Sequence, residues 1–214
     1  MVIGRDSFID FIRSQPVRRF AKGETIIRQG DEPEFLFGIK SGFVKAYDIA
    51  SDGSEQLVWI AKRRDVVPLE WLFTQDKASP YFYAAFTDVE TYLIDKAELL
   101  LNLSGNNEAL MLIVELVVDK YRHMMSHLKA AQKPRARDKI IHVLQFIAMR
   151  FSHKEIAGVE HVEVPLTHQD FANLVGLARE TTTLELKKLK EQGVIDYDKS
   201  HFYINTKKLA QILE

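Results

Sequence analysis

The sequence predicts an α+β protein with an N-terminal antiparallel, jelly-roll-like β-roll, one long helix and a C-terminal winged helix-turn-helix domain. Short alternating runs of apolar and polar residues follow one another from residue 17 to residue 95, and glycine and aspartate turns separate them. A longer helical pattern spans residues 108–132, and two short helical patterns flank Gly176. These observations divide the chain into three predicted parts, which are 1–107, 108–134 and 135–214.

Composition limits the class of protein. The chain has 214 residues, of which 46% are hydrophobic, so it is long enough for two buried cores. No apolar run is long enough to cross a membrane, and the N-terminus lacks the apolar centre of a signal peptide, so we expect a soluble cytoplasmic protein. Cysteine is absent, which excludes disulfides, thiolate metal sites and cysteine-ligated iron–sulfur clusters within this chain. The sequence contains no nucleophile–base set or metal-ligand cluster, so we expect no enzyme, no cofactor and no metal.

The first part begins with apolar residues at helical spacing and continues with strand-like runs. Ile3, Phe8, Phe11 and Ile12 predict a short amphipathic helix within residues 1–15. Glycines at positions 23, 30, 42 and 53 mark the turns between the following strands. Many short strands at regular spacing predict an antiparallel sandwich or barrel, and a short helix is expected from Lys96 to Leu103.

An aromatic segment, DVVPLEWLFTQDKASPYFYAA, occupies residues 65–85. Its aromatic side chains have two interpretations, because they either fill the core of the β-roll or line an apolar pocket for an effector. Core packing is the favoured interpretation. The pocket interpretation would use Glu70, Trp71, Ser79, Tyr81, Tyr83 and Met124.

The long helix carries apolar residues on more than one face. A near-heptad stripe predicts a seam that is buried against a partner, formed by Leu110, Ile113, Val117 and Met124. The alternative is a helix that packs only on its own domain. A second set is predicted to pack on the β-roll: Leu112, Leu116, Val118 and Tyr121. His123 and His127 share a face at a spacing that suits a metal ion, but no third ligand accompanies them, so we expect ordinary interface histidines. Lys133-Pro134 should end the helix.

The last part contains the helix-turn-helix pattern. A helix from Arg135 to Phe151 and a strand at Val162–Val164 precede it. Thr167 and Asp170 form a capping-box pair at the start of the first short helix, and Gly176 stands at the turn. The second helix begins near Ala178, with three leucines at helical spacing (Leu184, Leu186, Leu189) and a C-cap glycine at position 193. A hairpin around the sequence DKSH and a final helix from Thr206 to Leu213 complete the predicted winged domain.

The polar residues of this pattern favour contact with DNA. Arg179 and Glu180 open the second helix, where a guanidinium can pair with guanine and a carboxylate can accept from the cytosine amino group. Thr181 and Thr183 suit a phosphate or a thymine methyl group. The complete set of predicted DNA contacts is Thr167, His168, Gln169, Arg179, Glu180, Thr181, Thr183, Lys187 and Lys188. The alternative is a helical hairpin that contacts protein, since a formal net charge of −1 is unusual for a strong nonspecific DNA binder.

Two segments resemble one known family. THQDFANLVGLARETTTLELKKLKEQGVI is similar to the DNA-binding end of the CRP/FNR regulators, and KGETIIRQGDEPEFLFGIKSGFVKAY resembles their cyclic-nucleotide-binding β-roll. The resemblance covers nearly the whole chain. It implies a transcription regulator that binds a palindromic DNA site as a homodimer, with RNA polymerase as a further partner.

The sequence departs from the family pattern at the reading surface and at the effector site. Leu184 stands where the family often has an arginine, which implies a different half-site sequence. Pro68-Leu69 replaces the Gly-Glu pair and Ser79-Pro80 replaces the Arg-Ser pair of the phosphate-binding cassette. Met124 and Met125 stand where adenine-contacting hydroxyl groups are expected. We therefore expect no control by a cyclic nucleotide; the alternatives are a cyclic-nucleotide-responsive regulator and a sensory or scaffold protein.

Overall fold

The structure is a computed structural model that describes residues 5–75, 77–156 and 158–213. The chain divides into two compact units, Met1–Lys120 and Tyr121–Glu214. No helix in the described part of the chain is long and apolar enough to span a membrane.

The N-terminal unit is the predicted antiparallel β-roll. Its elements in chain order are α1 (Arg5–Ser14), β1 (Val17–Phe20), β2 (Thr25–Ile27), β3 (Leu36–Ser41), β4 (Val44–Ile49), β5 (Glu55–Ala61), β6 (Val66–Val67), a 3₁₀ turn (Leu69–Leu72), β7 (Phe82–Ala85), β8 (Val89–Ile94), α2 (Lys96–Leu103) and the first part of α3 (Asn107–Ala131), which continues beyond Lys120 into the C-terminal unit. The strands form two sheets with the orders β1-β8-β3-β6 and β2-β7-β4-β5. All of the strand pairs in both sheets are antiparallel.

Two apolar clusters hold this unit together. Alternation along the strands sends every second side chain inward, so Val44 and Ala46 of β4 are buried while Lys45 between them is half-buried. One cluster gathers the inward strand residues of both sheets, including Phe20, Phe37 and Trp59. The other includes Leu36, Leu99 and Ile113, so the short helices and the start of α3 pack with strand residues.

Local signals explain the ends of several elements. Asp95 caps α2, because its carboxylate accepts a hydrogen bond of 2.9 Å from the Glu98 backbone N–H. Gly42 joins β3 to β4 with a φ of +81°, and a Cβ atom there would lie 2.2 Å from the Asp88 carbonyl oxygen. Any other residue would therefore meet both backbone strain and a steric clash at this turn.

Helix α3 carries two stripes that are offset by one residue. The inward stripe is buried or half-buried and consists of Ala109, Ile113, Leu116, Lys120, His123, His127 and Ala130. The outward stripe consists of large exposed apolar residues: Leu110, Val114, Val117, Tyr121, Met124 and Leu128. Ile113 is only 1% exposed and packs in the second cluster of the N-terminal unit, so its assignment to the seam was wrong. Val118 and Tyr121 were expected to pack on the β-roll, but both are exposed.

The C-terminal unit is a winged helix-turn-helix domain. Its elements are α4 (Ala136–Phe151), β9 (Ser152–Ile156), β10 (Val159–Val162), α5 (His168–Val175), α6 (Arg179–Glu191), β11 (Ile195–Asp198), β12 (His201–Asn205) and α7 (Thr206–Leu213). The sheet has the order β11-β12-β10-β9, and each neighbouring pair is antiparallel. The strand predicted at Val162–Val164 ends at Val162 instead, and β9 was not predicted because its sequence SHKEI lacks an alternating apolar pattern.

Candidate nucleic-acid interface and effector region

A capping box fixes the start of α5. The Thr167 backbone N–H donates to the Asp170 carboxylate at 2.7 Å, and the Asp170 backbone N–H donates to the Thr167 hydroxyl at 3.2 Å. The Thr167 hydroxyl also donates to the Asp170 carboxylate, at 2.6 Å. The capping box predicted from the spacing of these two residues is confirmed. Thr167 was a predicted DNA contact, but these hydrogen bonds already use its hydroxyl group within the protein.

Gly176 makes the turn between α5 and α6. Its φ and ψ are 65° and 45°, the left-handed conformation, and its N–H donates to the Ala172 carbonyl oxygen at the end of α5. A residue with a Cβ atom would cost about 1–2 kcal/mol in this conformation. The turn therefore depends on glycine, as the sequence predicts, and α6 begins three residues later at Arg179.

Helix α6 has one buried face and one exposed face. Thr182, Leu186 and Leu189 are buried, and the Thr182 hydroxyl donates to the Ala178 carbonyl oxygen at 3.1 Å. The exposed residues include Arg179, Glu180, Thr181, Leu184, Lys187 and Lys188. The three leucines of the predicted helical pattern thus separate, because Leu186 and Leu189 lie in the core while Leu184 is 53% exposed.

His168 connects three elements of the C-terminal unit. Its Nδ1 atom lies 3.1 Å from the Thr183 hydroxyl of α6, and its ring meets the Tyr197 ring of β11 edge-on at 4.9 Å between centroids. Burial lowers the pKa of His168, and the nearby Arg179 charge lowers it further. The imidazole is therefore neutral at pH 7 and serves as a link that positions α6. Tyr197 was not among the predicted site residues, since its role depends on the fold of the hairpin.

Several charged groups near α6 already have partners within the protein. The Lys188 ammonium lies 2.6 Å from the Glu185 carboxylate, and the Lys190 ammonium lies 2.6 Å from the Asp196 carboxylate of the wing. The hydrogen bond from Lys190 lowers the pKa of Asp196. The second pair neutralises one carboxylate of the wing, the hairpin of β11 and β12, while Arg179 and Glu180 are exposed in the first turn of α6.

In the N-terminal unit, a half-buried carboxylate, Glu70, occupies the region of the predicted effector site. Glu70 accepts hydrogen bonds from the Tyr83 hydroxyl, at 2.5 Å, and from the Lys120 ammonium of α3. Burial by itself would raise the pKa of Glu70, but the charge of Lys120 and these two hydrogen bonds lower it overall. Burial and the neighbouring carboxylate raise the pKa of Tyr83 well above its ordinary value. Glu70 and Lys120 therefore form an ion pair between the 3₁₀ turn and α3.

The other residues of the predicted pocket have separate environments. Tyr83 fills the core between the sheets and Tyr81 packs against it, whereas Trp71 packs against the second cluster. The buried Ser79 hydroxyl donates to the Tyr81 carbonyl oxygen at 2.7 Å. Met124 is exposed on the outward stripe of α3. These environments agree with core packing of the aromatic residues.

His123 and His127 stack on each other with ring centroids 4.5 Å apart, and Phe146 of α4 lies edge-on to His123 at 4.1 Å. Burial lowers the pKa of His127 to about 4, against the opposing effect of its hydrogen bond with the backbone of Leu174. Among the residues that the structure describes, no group of three metal-binding side chains is present. The expected place of this pair at an interface was wrong for His123, which is buried within the C-terminal unit.

Comparison with known proteins matches each unit to a known domain family. Residues 17–104 match the cyclic nucleotide-binding domain, and residues 138–212 match the Crp-like helix-turn-helix domain. The anaerobic regulatory protein of Bacillus subtilis strain 168 is 28% identical over 192 residues, which cover 86% of this chain and 76% of that protein. The fumarate nitrate reduction regulatory protein of Klebsiella oxytoca is 26% identical over 204 residues, covering 94% of this chain and 78% of the relative.

Solved structures share the fold. FixK2 from Bradyrhizobium japonicum superposes with a TM-score of 0.77 at 18% identity, covering 92% of this chain and 96% of FixK2. The c-di-GMP responsive global regulator CLP from Xanthomonas campestris has a TM-score of 0.77 at 19% identity and covers 94% of this chain and 99% of CLP. With a β-roll, a long helix and a winged helix-turn-helix in the same order, the chain belongs to the CRP/FNR family of DNA-binding transcription regulators and is not an enzyme.

Proposed function

We propose that this regulator binds a palindromic DNA site as a homodimer and that no cyclic nucleotide controls it. The observation that carries the proposal is the outward stripe of α3 (Leu110, Val114, Val117, Tyr121, Met124 and Leu128), whose side chains are 42–61% exposed. Successive members lie four and three residues apart, which is the heptad spacing of helices that pair. A continuous exposed apolar stripe of this length is expected to pack against another protein surface.

A second copy of the same helix is the partner that suits this stripe. Two identical helices related by a two-fold axis offer each other the same apolar spacing, so one sequence supplies both halves of the seam. Fully burying an apolar side chain contributes about 1.5–3 kcal/mol. Association costs about 4–15 kcal/mol in lost translational and rotational freedom, with a further cost for each ordered side chain, and the stripes of two chains together offset this cost.

The two-fold axis also supports the choice of DNA site. A symmetric dimer carries two α6 helices, and helices of this kind enter successive major grooves about 34 Å apart on one face of the duplex. Equal half-sites in opposite orientation match that symmetry. The whole chain has a formal net charge of only −1. Its affinity for DNA therefore depends on local contacts and on the presence of two half-sites.

The ion pair of Glu70 and Lys120 supports independence from cyclic nucleotides. A cyclic phosphate needs a cation or converging N–H donors once it leaves water. In this chain Lys120 is engaged by the Glu70 carboxylate, and the Ser79 hydroxyl is engaged by the Tyr81 carbonyl oxygen. Pro68 and Pro80 also lack the backbone N–H that another residue would offer. An anion placed beside Glu70 would meet a like charge.

Two measurements test the proposed dimer and its site. Sedimentation of the purified protein should give a mass of two chains, and selection from a random DNA library should return one sequence with inverted repeats. A monomer, or a selected sequence without a repeat, would contradict the proposal. We also infer from the family that RNA polymerase is a partner and that the protein acts in the cytoplasm, where its DNA target lies.

A further inference from the structure

Leu184 is an apolar residue at the centre of the exposed face of α6. The buried stripe of this helix consists of Thr182, Leu186 and Leu189. At about 100° per residue, Leu184 projects to the opposite side of the helix from that stripe. More than half of its side chain, 53%, is exposed.

The neighbours of Leu184 on this face are polar. Glu180 and Thr181 lie one turn before it, and Lys187 and Lys188 lie one turn after it, and all four are exposed. A leucine cannot form a hydrogen bond, so it contributes nothing to binding phosphate. One apolar residue framed by charges also offers too little surface for a protein partner, in contrast to the continuous stripe on α3.

We infer that Leu184 reads the 5-methyl group of a thymine in each half-site. The thymine methyl is the apolar group that base edges offer in the major groove, and an apolar side chain recognises it by contact. Leu184 follows Glu180 by four residues, a rise of about 6 Å along the helix, so the thymine lies within about two base pairs of the pair that Glu180 contacts. This inference rests on the proposed sequence-specific binding and adds the base that α6 prefers.

The test removes the methyl group without changing the base pairing. Each thymine of the selected half-site is replaced in turn by deoxyuridine, and affinity is measured for the full-length protein. At one position the wild type should bind the deoxyuridine site about fourfold more weakly per half-site, the effect of losing one buried methyl group. Leu184→Ala should bind the thymine and deoxyuridine sites equally at that position, because the side chain that covers the methyl is absent.

A matched control uses Met149→Ala, which removes an exposed apolar side chain from α4 of the same unit. This variant should keep the full difference between thymine and deoxyuridine. The inference is overturned if Leu184→Ala loses as much affinity on the deoxyuridine site as the wild type does. It is also overturned if the selected half-site has no preferred thymine within about two base pairs of the base pair at which Glu180→Ala relaxes the preference. The comparison needs only one half-site, so a selected site without a palindrome, which contradicts the proposed function, still gives a result for Leu184.

Discussion

At the scale of single residues, Glu180 is an exposed carboxylate in the first turn of α6, where the helix-turn-helix plan places base contacts. Two nearby carboxylates are already in ion pairs, because Glu185 pairs with Lys188 and Asp196 pairs with Lys190. A carboxylate in this position can accept a hydrogen bond from the cytosine amino group. We therefore assign base preference to Glu180 and attribute a mainly structural role to the paired carboxylates.

Replacing Glu180 by Ala should weaken binding to the selected site by about 1–3 kcal/mol per half-site, because one base contact is lost. Preference at one base pair should relax, while binding to random DNA changes little. Glu34→Ala, which removes an exposed carboxylate from the N-terminal unit, serves as the control and should leave both affinities nearly unchanged. An equal loss on specific and random DNA would show that Glu180 does not read a base.

His127 gives the C-terminal unit a dependence on pH. Burial lowers its pKa to about 4, whereas an unfolded chain has a value near the ordinary 6.5. Between these values the unfolded state binds more protons than the folded state, so stability falls as pH decreases from about 6.5 to about 4. The slope contributed by this residue reaches about 1.4 kcal/mol per pH unit.

We expect His127→Gln, which does not titrate, to flatten this part of the stability curve. Urea unfolding followed by circular dichroism at pH 7, 6, 5 and 4.5 measures the slope. Met149→Gln is the control, since this exposed residue of α4 does not titrate and its replacement should leave the slope as it was. Identical pH slopes for wild type and His127→Gln would disprove the assignment.

At the scale of secondary-structure elements, the outward stripe of α3 predicts assembly. Val117→Asp combined with Tyr121→Asp would place two charges on each chain within the proposed seam, where they lack partners. The variant should sediment as a monomer and lose high affinity for the palindrome. Ile113 is unsuitable for this experiment, because it lies in the core of the N-terminal unit and an aspartate there would destabilise that unit whether or not two chains associate.

Leu101→Asp provides the control for the seam. Leu101 is an exposed leucine on α2, so the change adds a charge to the same unit without touching α3. This control should remain a dimer. If the double variant of Val117 and Tyr121 also remains a dimer, the two chains associate through another surface.

The ion pair between the 3₁₀ turn and α3 should stabilise the N-terminal unit. Lys120→Met leaves the Glu70 carboxylate with the Tyr83 hydroxyl as its remaining side-chain partner. We expect the free energy of unfolding to fall by about 1–3 kcal/mol. The loss is modest because the side chains of Glu70 and Lys120 are each roughly a quarter exposed to solvent. Adding Glu70→Gln should recover part of the loss, because the half-buried charge is then removed together with its partner.

Fluorescence can follow this unit separately. Both tryptophans of the chain, Trp59 and Trp71, lie in the N-terminal unit, so their emission during urea unfolding reports its stability. Lys129→Met removes a lysine from the last turn of the same helix and should cause little change. If the double variant loses as much stability as the two single variants together, Glu70 and Lys120 do not stabilise each other.

At the scale of the whole molecule, the proposal predicts that DNA affinity does not respond to cyclic nucleotides. Affinity of the ligand-stripped protein for its selected site should change by less than tenfold when cyclic AMP or cyclic GMP is added, which is less than about 1.4 kcal/mol of coupling. The linear nucleotide 5′-AMP controls for ionic effects. A rise of tenfold or more with a cyclic nucleotide alone would establish that the β-roll is a responsive sensor.

The sequence alone was sufficient for features that depend on neighbours in the chain. The capping box of Thr167 and Asp170 and the left-handed turn at Gly176 are set by residues at most a few positions apart. Alternation and turn residues likewise predicted the antiparallel strands of the β-roll. These signals are local, so they can be interpreted without knowing what packs against them.

Tertiary structure decided which face of each helix is covered. Apolar residues lie around most of α3, so spacing could not separate Ile113, which its own unit buries, from Val114 and Tyr121, which stay exposed. In α6 the same limitation grouped Leu184 with two core leucines. The pairing of Glu70 with Lys120 joins positions 50 residues apart and has no signal in the sequence. Coverage and long-range pairing depend on how elements pack, and helical periodicity alone does not contain that information.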